Sequence, residues 1–338
     1  MSRNFRFAAG FYAVLSFTVL AIPVASAQTY KAIGEYKLSG ASAKGIAVDS
    51  DSRRLFIANG DSITVLNADT GATVGNLDGV KDAHDILLVP AMNGEEKAPS
   101  TKGFATDGLG HVIAFSLADL KATATIKLET SGASALCYDD NAKTIEAVST
   151  GGSLTTIDAV TNKVIRAGKI STGNGQVVCG TLAHVYVADT AANVVHVLNH
   201  ESLKNDGDLP MKSCSKPSGL ALDTKGRRLF VGCEDGIIEI IDTDSGFTFI
   251  ELKGGTGPAR ETFAWLPQGK GQWKAAAFVA QADGTLSGIR MNAYINYSLG
   301  GQYKLTPGLG SVAYDDKTRH LFITAINSGS PVVAVVGY

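Results

Sequence analysis

The sequence predicts an all-β fold, a single β-propeller of seven four-stranded blades, and two observations carry that prediction. The segment LFIANGDSITVLNADTG at residues 55–71 returns as LFVGCEDGIIEIIDTDSG at residues 229–246. Weaker copies fill the rest of the chain at intervals of about 40–50 residues, which is the repeat length of propeller blades. Within each copy, short apolar runs alternate with Gly, Asp and Asn turn residues, so each copy is expected to hold four strands.

The units can be aligned on an Asp that ends the first apolar run. Unit one has its runs at residues 45–49, 55–59, 63–67 and 73–77. Unit five has them at residues 219–223, 229–233, 237–242 and 247–252. The first runs of the more divergent units two, three, four and six lie near residues 86–89, 136–139, 177–180 and 263–266. This spacing gives seven blades over residues 28–338.

The last unit is incomplete, and this predicts how the ring closes. Unit seven has runs at residues 311–315, 321–325 and 332–336, after which the sequence stops at Tyr338. The spare strand-like segment YKAIGEYKL occupies residues 30–38, before unit one. Because an open strand edge promotes aggregation, we expect this N-terminal strand to close the last blade.

Residues 1–27 have the pattern of a secretory signal peptide. Arg3 and Arg6 precede a long apolar run, and small residues at 25–27 provide a cleavage site before Gln28. The alternative is an uncleaved anchor helix, since the apolar run is near the lower length limit for spanning a bilayer. Cleavage is favoured by the small-residue site and the polar segment that follows. The mature chain is therefore expected in the periplasm or outside the cell, without insertion into a membrane.

The composition limits the class of partner. The formal net charge is -2, and no long run of one sign occurs. Phosphate backbones are bound through clustered Lys and Arg, so the sequence does not indicate a nucleic-acid partner. We expect a monomer whose partner is an unknown protein or small molecule.

The repeats resemble those of the bacterial YVTN proteins. The resemblance rests on LFIANG, HVYVADTAANVVHVLN and LFVGCEDGIIEIID, each followed by a turn, and it covers essentially residues 28–338. It implies a propeller, but it specifies no function, since such propellers serve as surface-layer, binding and enzyme scaffolds.

The best candidate site is the mouth of the central channel, where loops enter the first strands. Function in such a scaffold sits on loops held by the rigid ring. The alignment places seven residues at equivalent points there: Lys44, His84, Ser134, Gly175, Ser218, Glu261 and Gly310. Their polar neighbours complete the set: Asp85, Asn174, Gln176 and Arg260.

Two interpretations of this site remain open. His84 and Asp85 could form an acid/base pair, with Arg260 and Glu261 as an anion clamp, since His titrates near neutral pH and Arg holds carboxylates bidentately. The favoured alternative is a set of solvated mouth residues joined by structural ion pairs. A second set of residues, in the turns of the blades, gives the same face an acidic rim. Asp and Asn are also the residues that β-turns prefer. The set comprises Asn59, Asp61, Asp107, Asp189, Asn193, Glu234, Asp235, Asp283 and Asn327.

Cysteine and histidine placement points to disulfide chemistry rather than to a metal. Cys214 and Cys233 are expected on the same face of blade five, so we predict a disulfide between them in an oxidising compartment. Cys137 and Cys179 are offset by one residue in adjacent first strands, which predicts side chains facing opposite ways and buried free thiols. No histidine spacing forms a metal motif, and the absence of C-x-x-C-H argues against covalent haem. No metal or cofactor is predicted.

The leading hypothesis is therefore an exported binding or interaction protein with its ligand or partner on the channel-mouth face, and not an enzyme. The alternative is a propeller enzyme at the channel mouth, either a metal-dependent lactonase-like hydrolase or a relative of quinoprotein dehydrogenases. Two segments longer than a minimal turn are further candidates for partner binding, at residues 92–101 and 201–213. They could equally be tolerated surface variation.

Overall fold

The computed structural model describes residues 30–40, 42–93, 96–132, 134–169, 175–180, 182–269, 272–293 and 296–337. These residues form seven four-stranded antiparallel sheets and contain no helix. The predicted seven-bladed β-propeller is therefore confirmed. Within the described ranges, no helix is long and apolar enough to cross a bilayer. The predicted signal peptide at residues 1–27 lies outside them.

The strands run blade by blade from the channel outwards. Blade one comprises β2 (Ile46–Asp49), β3 (Arg54–Asn59), β4 (Ser62–Asn67) and β5 (Thr73–Asp78). Blade two comprises β6 (Ile86–Asn93), β7 (Glu96–Thr106), β8 (His111–Ser116) and β9 (Ala122–Lys127). Blade three comprises β10 (Ser134–Asp139), β11 (Thr144–Ser149), β12 (Ser153–Asp158) and β13 (Val164–Lys169). Blade four comprises β14 (Val177–Cys179), β15 (His184–Asp189), β16 (Val194–Asn199) and β17 (Lys204–Pro210).

The remaining blades follow the same order, except at the closure. Blade five comprises β18 (Pro217–Asp223), β19 (Arg228–Cys233), β20 (Ile237–Asp242) and β21 (Thr248–Lys253). Blade six comprises β22 (Ala259–Gly269), β23 (Gln272–Gln281), β24 (Thr285–Ala293) and β25 (Asn296–Lys304). Blade seven comprises β26 (Val312–Tyr314), β27 (Leu321–Asn327), β28 (Ser330–Gly337) and, as its outermost strand, β1 (Lys31–Lys37).

The N-terminal strand closes the ring as the sequence predicts. Strand β1 pairs antiparallel with β28, from Lys31 opposite Gly337 to Lys37 opposite Val332. Tyr36 then ties this strand to blade one, because its hydroxyl donates to the carbonyl of Ala68 at 2.9 Å. The first and last described segments of the chain are thus joined in one sheet, and the edge of blade seven is covered.

The Asp and Asn residues of the repeat are explained by the turns that they cap. At the end of β2, Asp49 accepts the backbone N–H groups of Asp51 and Ser52, and Asp139 caps the equivalent turn in blade three. At the end of β4, Asn67 accepts the N–H groups of the next turn in the same way. Short polar side chains bond to their own turn backbone, which favours these residues at fixed points of the repeat.

The hydrophobic core lies between blades rather than at the centre of the ring. The second strands carry a fully buried aromatic residue at one equivalent position in most blades: Phe56, Phe104, Tyr186, Phe230, Phe278 and Phe322. The clusters that they belong to each join two neighbouring blades, as where Phe56 packs with Phe115. Blade three has Glu146 at this position, paired with His200 at 3.0 Å.

The structure pairs the four cysteines in two disulfides. Cys214 and Cys233 form one within blade five, and Cys137 and Cys179 form the other between β10 and β14. The prediction of free thiols at Cys137 and Cys179 is therefore wrong. Neighbouring blades are related by rotation and pack face to face. The side chains that meet between them therefore come from opposite faces of their two sheets. An offset of one residue favours this contact instead of preventing it.

The described parts of the two long segments belong to the blades. Residues 92–93 and 96–101 extend the pairing of β6 with β7, with Asn93 opposite Glu96. Residues 201–213 contain β17, the ordinary outer strand of blade four. The second segment is thus part of the blade, and its length is that of an ordinary strand rather than of a long connection.

Candidate binding site in the central channel

The first strands enclose a cavity of about 670 Å³ along the axis of the ring. Its wall combines aliphatic side chains with a small set of polar and charged ones, the composition expected of a ligand pocket. Eight of the eleven residues predicted at the mouth line it: Lys44, His84, Asp85, Gly175, Gln176, Arg260, Glu261 and Gly310. Of the other three, Asn174 lies outside the described residues.

The mouth face is defined by the loops that precede the first strands and the turns between second and third strands. The loop before β6 shows that these two sets of loops meet, because the N–H of Asp82 donates to Asp61 at 3.0 Å and the N–H of Ala83 donates to the carbonyl of Gly60. The loop before β18 likewise contacts the preceding blade, where the N–H of Lys216 donates to Asn193. The mouth face is therefore continuous from blade to blade.

Backbone pairing corrects the alignment of blade six. In blades one, two and seven, the N–H groups of Lys44, His84 and Gly310 donate to equivalent positions of the second strand, as the alignment predicts. In blade six, Ala259 occupies the corresponding place and Glu261 lies two residues further along β22, opposite Val279. The residues that match Glu261 in the other blades are all aliphatic: Ile46, Ile86, Leu136, Val177, Leu220 and Val312.

Asp85 and Gln176 occupy equivalent positions and satisfy backbone groups on the inner edges of neighbouring blades. The carboxylate of Asp85 accepts the N–H of Leu136 in blade three at 2.9 Å. The side-chain amide of Gln176 contacts the backbone of Glu261 in blade six. It donates to the carbonyl of Glu261 and accepts the N–H of Glu261, both at 2.9 Å. Inner strands have no partner on the channel side, so these side chains supply hydrogen bonds that the fold requires.

Arg260 is the cation of the channel interior. Its Nη1 donates to the carbonyls of Ser218 at 3.1 Å and Ala259 at 2.8 Å. Burial lowers the pKa of Arg260, and the nearby charge of Asp85 acts in the opposite direction. Burial likewise raises the pKa of Asp85, which its backbone hydrogen bonds and Arg260 partly oppose. The two charges thus attract across the channel without a direct ion pair between them among the described residues.

A second charged group lies at the channel mouth. The Nζ of Lys44 is 2.6 Å from Asp82 and 3.0 Å from Nε2 of His84, and the same nitrogen of His84 is 3.0 Å from Asp82. Lys44 lowers the pKa of the Asp82 carboxyl. One nitrogen cannot donate to Asp82 and accept from Lys44 at once, so the tautomer of His84 decides which bond forms. Asp82 was missed in the sequence, because the lysine that partners it lies in another unit.

Glu261 is the most unusual residue of the site. Its side chain is 2% exposed, and neither carboxylate oxygen has a side-chain partner among the described residues; the backbone N–H of Gly232 is close enough to oppose part of the effect of burial on its pKa. It lies against Gly219 and Gly232 of blade five, where a methyl group on either glycine would come within 3.0 Å of the Glu261 side chain. Burial raises the pKa of Glu261 to about 8, so the carboxyl group is neutral at pH 7.

The proposed pairing of His84 with Asp85 and of Arg260 with Glu261 is not found. The ring of His84 contacts Asp82 rather than Asp85, and Glu261 is directed away from Arg260 into the contact with blade five. Arg260 and Asp85, from blades six and two, instead line the same cavity, and the charge of Arg260 acts to lower the pKa of Asp85. Arg260 alone, without Glu261, is therefore available to hold an anion.

The acidic rim is largely occupied by turn hydrogen bonds and ion pairs. Asp107 accepts the N–H groups of Leu109 and His111, and Asp235 accepts those of Ser215 and Ile237. Asp189 caps its own turn and also contacts His196, which is held between two carboxylates because Asp208 lies 2.7 Å from its other nitrogen. No group of three or more His, Cys, Asp or Glu suited to a metal ion occurs in the described ranges.

Comparison with known proteins establishes the fold and nothing finer. No family model matches the chain, and no curated protein matches it. Membership of the YVTN proteins therefore stays a prediction. One similar solved chain belongs to the "Crystal Structure of Mitotic Checkpoint Complex", with 14% identity and a TM-score of 0.72 over 97% of this chain and 99% of that chain. Another is the "Structure of U3-55K", with 10% identity and a TM-score of 0.71 over 91% of this chain and 98% of that one.

Proposed function

We propose that this protein is an exported propeller that acts by binding, with its ligand or partner on the mouth face of the channel. The observation that carries the proposal is the channel itself, a cavity of about 670 Å³ in which aliphatic walls surround the partly buried guanidinium of Arg260. Its size lies within the range of about 300–1,000 Å³ that is typical of ligand pockets. The β-propeller fold is also typical of interaction scaffolds, in which loops carry the function.

The cysteines support the exported location. None of the four cysteines is free, and one disulfide joins two different blades. Disulfides persist in oxidising compartments such as the periplasm and are rare in the cytosol. Together with the apolar segment and small-residue cleavage site at residues 1–27, this favours secretion followed by oxidation.

Photo-crosslinking from two engineered thiols tests the proposal. Lys216→Cys lies on the mouth face and Lys317→Cys on the opposite face, and each lysine is an exposed residue paired with one carboxylate. The full chain is expressed in its native host, and the variants are recovered from the osmotic-shock fraction. They are labelled with a photoreactive group and irradiated in that extract.

We expect the protein in the osmotic-shock fraction, with the engineered thiol as its one reactive thiol. Adducts should form from position 216 and not from position 317. Retention in the cytosol with four further titratable thiols would contradict export. Adducts confined to position 317 would contradict the mouth face as the binding surface.

A further inference from the structure

We propose that the central channel binds a small monocarboxylic acid with an apolar body, whose carboxylate is held by Arg260. This inference rests on the proposed function and adds the chemical class of the ligand. Arg260 is fixed by its Nη1, which donates to two backbone carbonyls on the wall between blades five and six. Its Nε and Nη2 groups have no hydrogen bond to any of the described residues.

The free donors of Arg260 set the geometry of the ligand. Nε–H and Nη2–H of a guanidinium are parallel and match the two oxygens of a carboxylate. Arg260 is partly buried, and its unused donors have no acceptor among the described residues, so a ligand that supplies two acceptors is favoured. The neighbouring side chain that could have done so, Asp85, uses its two oxygens for the N–H groups of Ile86 and Leu136.

The charge balance of the channel favours one negative charge on the ligand. Arg260 and Asp85 line the same cavity, so a doubly charged anion such as phosphate would meet the repulsion of Asp85, and the described part of the lining offers no second free cation. Lys44 at the mouth is already paired with Asp82 at 2.6 Å. Glu261 adds no charge near neutral pH, because its pKa is raised to about 8 by burial. A single carboxylate fits this arrangement.

The walls specify the rest of the ligand. Aliphatic residues from five blades line the same cavity: Ile46, Ile86, Leu136, Val177, Leu309 and Val312. Burial of apolar surface against such walls contributes about 0.8 kcal/mol for each CH₂ group. Affinity is therefore expected to rise with the length of an aliphatic chain until the cavity is filled.

Titration of the mature protein by calorimetry tests this inference, with hexanoate, 1-hexanol and inorganic phosphate as probes. Hexanoate should bind, and both other probes should bind at least tenfold more weakly. Arg260→Gln should weaken hexanoate binding at least tenfold, and Arg260→Lys should lose affinity as well because it lacks the planar fork. Lys317→Gln, which removes an exposed cation on the face opposite the mouth, is the matched control and should bind hexanoate like the wild type.

A second variant covers the case in which Arg260→Gln does not fold. Asp85→Asn removes the competing negative charge and should tighten hexanoate binding severalfold. Equal affinity for hexanoate and 1-hexanol, tighter binding of phosphate, or unchanged hexanoate affinity in the Arg260 variants would overturn the inference. No binding of hexanoate at millimolar concentration would overturn it too. Mouth-face crosslinking from position 216 would then still stand, so the failure would concern the ligand class and not the binding face.

Discussion

A chain that begins at Ser39 instead of Tyr30 is expected to aggregate, or to melt far below the chain that begins at Tyr30. Without β1, the edge of β28 is open and the sheet of blade seven keeps three strands. The loss includes two buried side chains that flank β1, Tyr30 and Leu38. At about 1.5–3 kcal/mol for each fully buried large side chain, their burial is a large share of a typical stability of about 5–15 kcal/mol.

Thermal melts and sedimentation of the two chains measure this effect. Addition of a synthetic peptide of residues 30–38 to the shortened chain provides the control, since the peptide can pair with β28 and should restore part of the melting temperature. Equal solubility and melting temperature for the two chains would show that β1 is not needed to close the ring.

Replacement of Glu261 by Gln is expected to remove a large pH dependence of stability. In the folded protein the pKa of Glu261 is raised by burial to about 8, compared with 4.5 for an ordinary Glu. A raised pKa means that the folded state binds the proton more tightly, so the wild type loses stability as pH rises from about 4.5 to about 8. At about 1.4 kcal/mol per unit, the loss is about 3–5 kcal/mol, complete above pH 8.

Denaturant unfolding of the wild type and Glu261→Gln between pH 5 and pH 9 measures this difference. The two free energies of unfolding should nearly coincide at pH 5, and the variant should be the more stable at pH 9. His196 and His200, whose pKa values are raised by neighbouring carboxylates, also lose stabilising charge as pH rises, and they do so in both proteins. Parallel pH profiles for the two proteins would mean that Glu261 ionises freely in the folded state.

Much of the architecture could be predicted from the sequence because the repeat encodes local structure. Asp49 and Asn67 cap turns at fixed distances from their strands, so their recurrence marks strand ends directly. The spare segment before unit one could be assigned to the last blade because a ring leaves no other open edge. The turn caps depend on residues that are close together in the chain, and the closing strand follows from the need to complete the ring. A single sequence contains the information for both.

The errors arose where a blade departs from the repeat or where contacts join different blades. The alignment misplaced Glu261 by two residues because β22 and β23 form a long hairpin without the turn Asp that marks the first strand elsewhere. The disulfide of Cys137 and Cys179 depends on how rotated sheets face each other, which periodicity within one strand does not give. Asp82 was overlooked because its partner Lys44 lies 38 residues away in another blade.

Hydrogen exchange can show whether binding takes place at the channel mouth. Exchange of the mature protein is followed by mass spectrometry, alone and in a concentrated extract of the periplasm. Binding at the mouth should slow exchange in the loops that precede β2, β6 and β22. The rival surface is the outer edge of blades three and five, where Val164 and Ile165 of β13 and Phe249 of β21 are exposed. Slower exchange confined to β13 and β21, with unchanged mouth-face loops, would show that binding takes place on that edge instead.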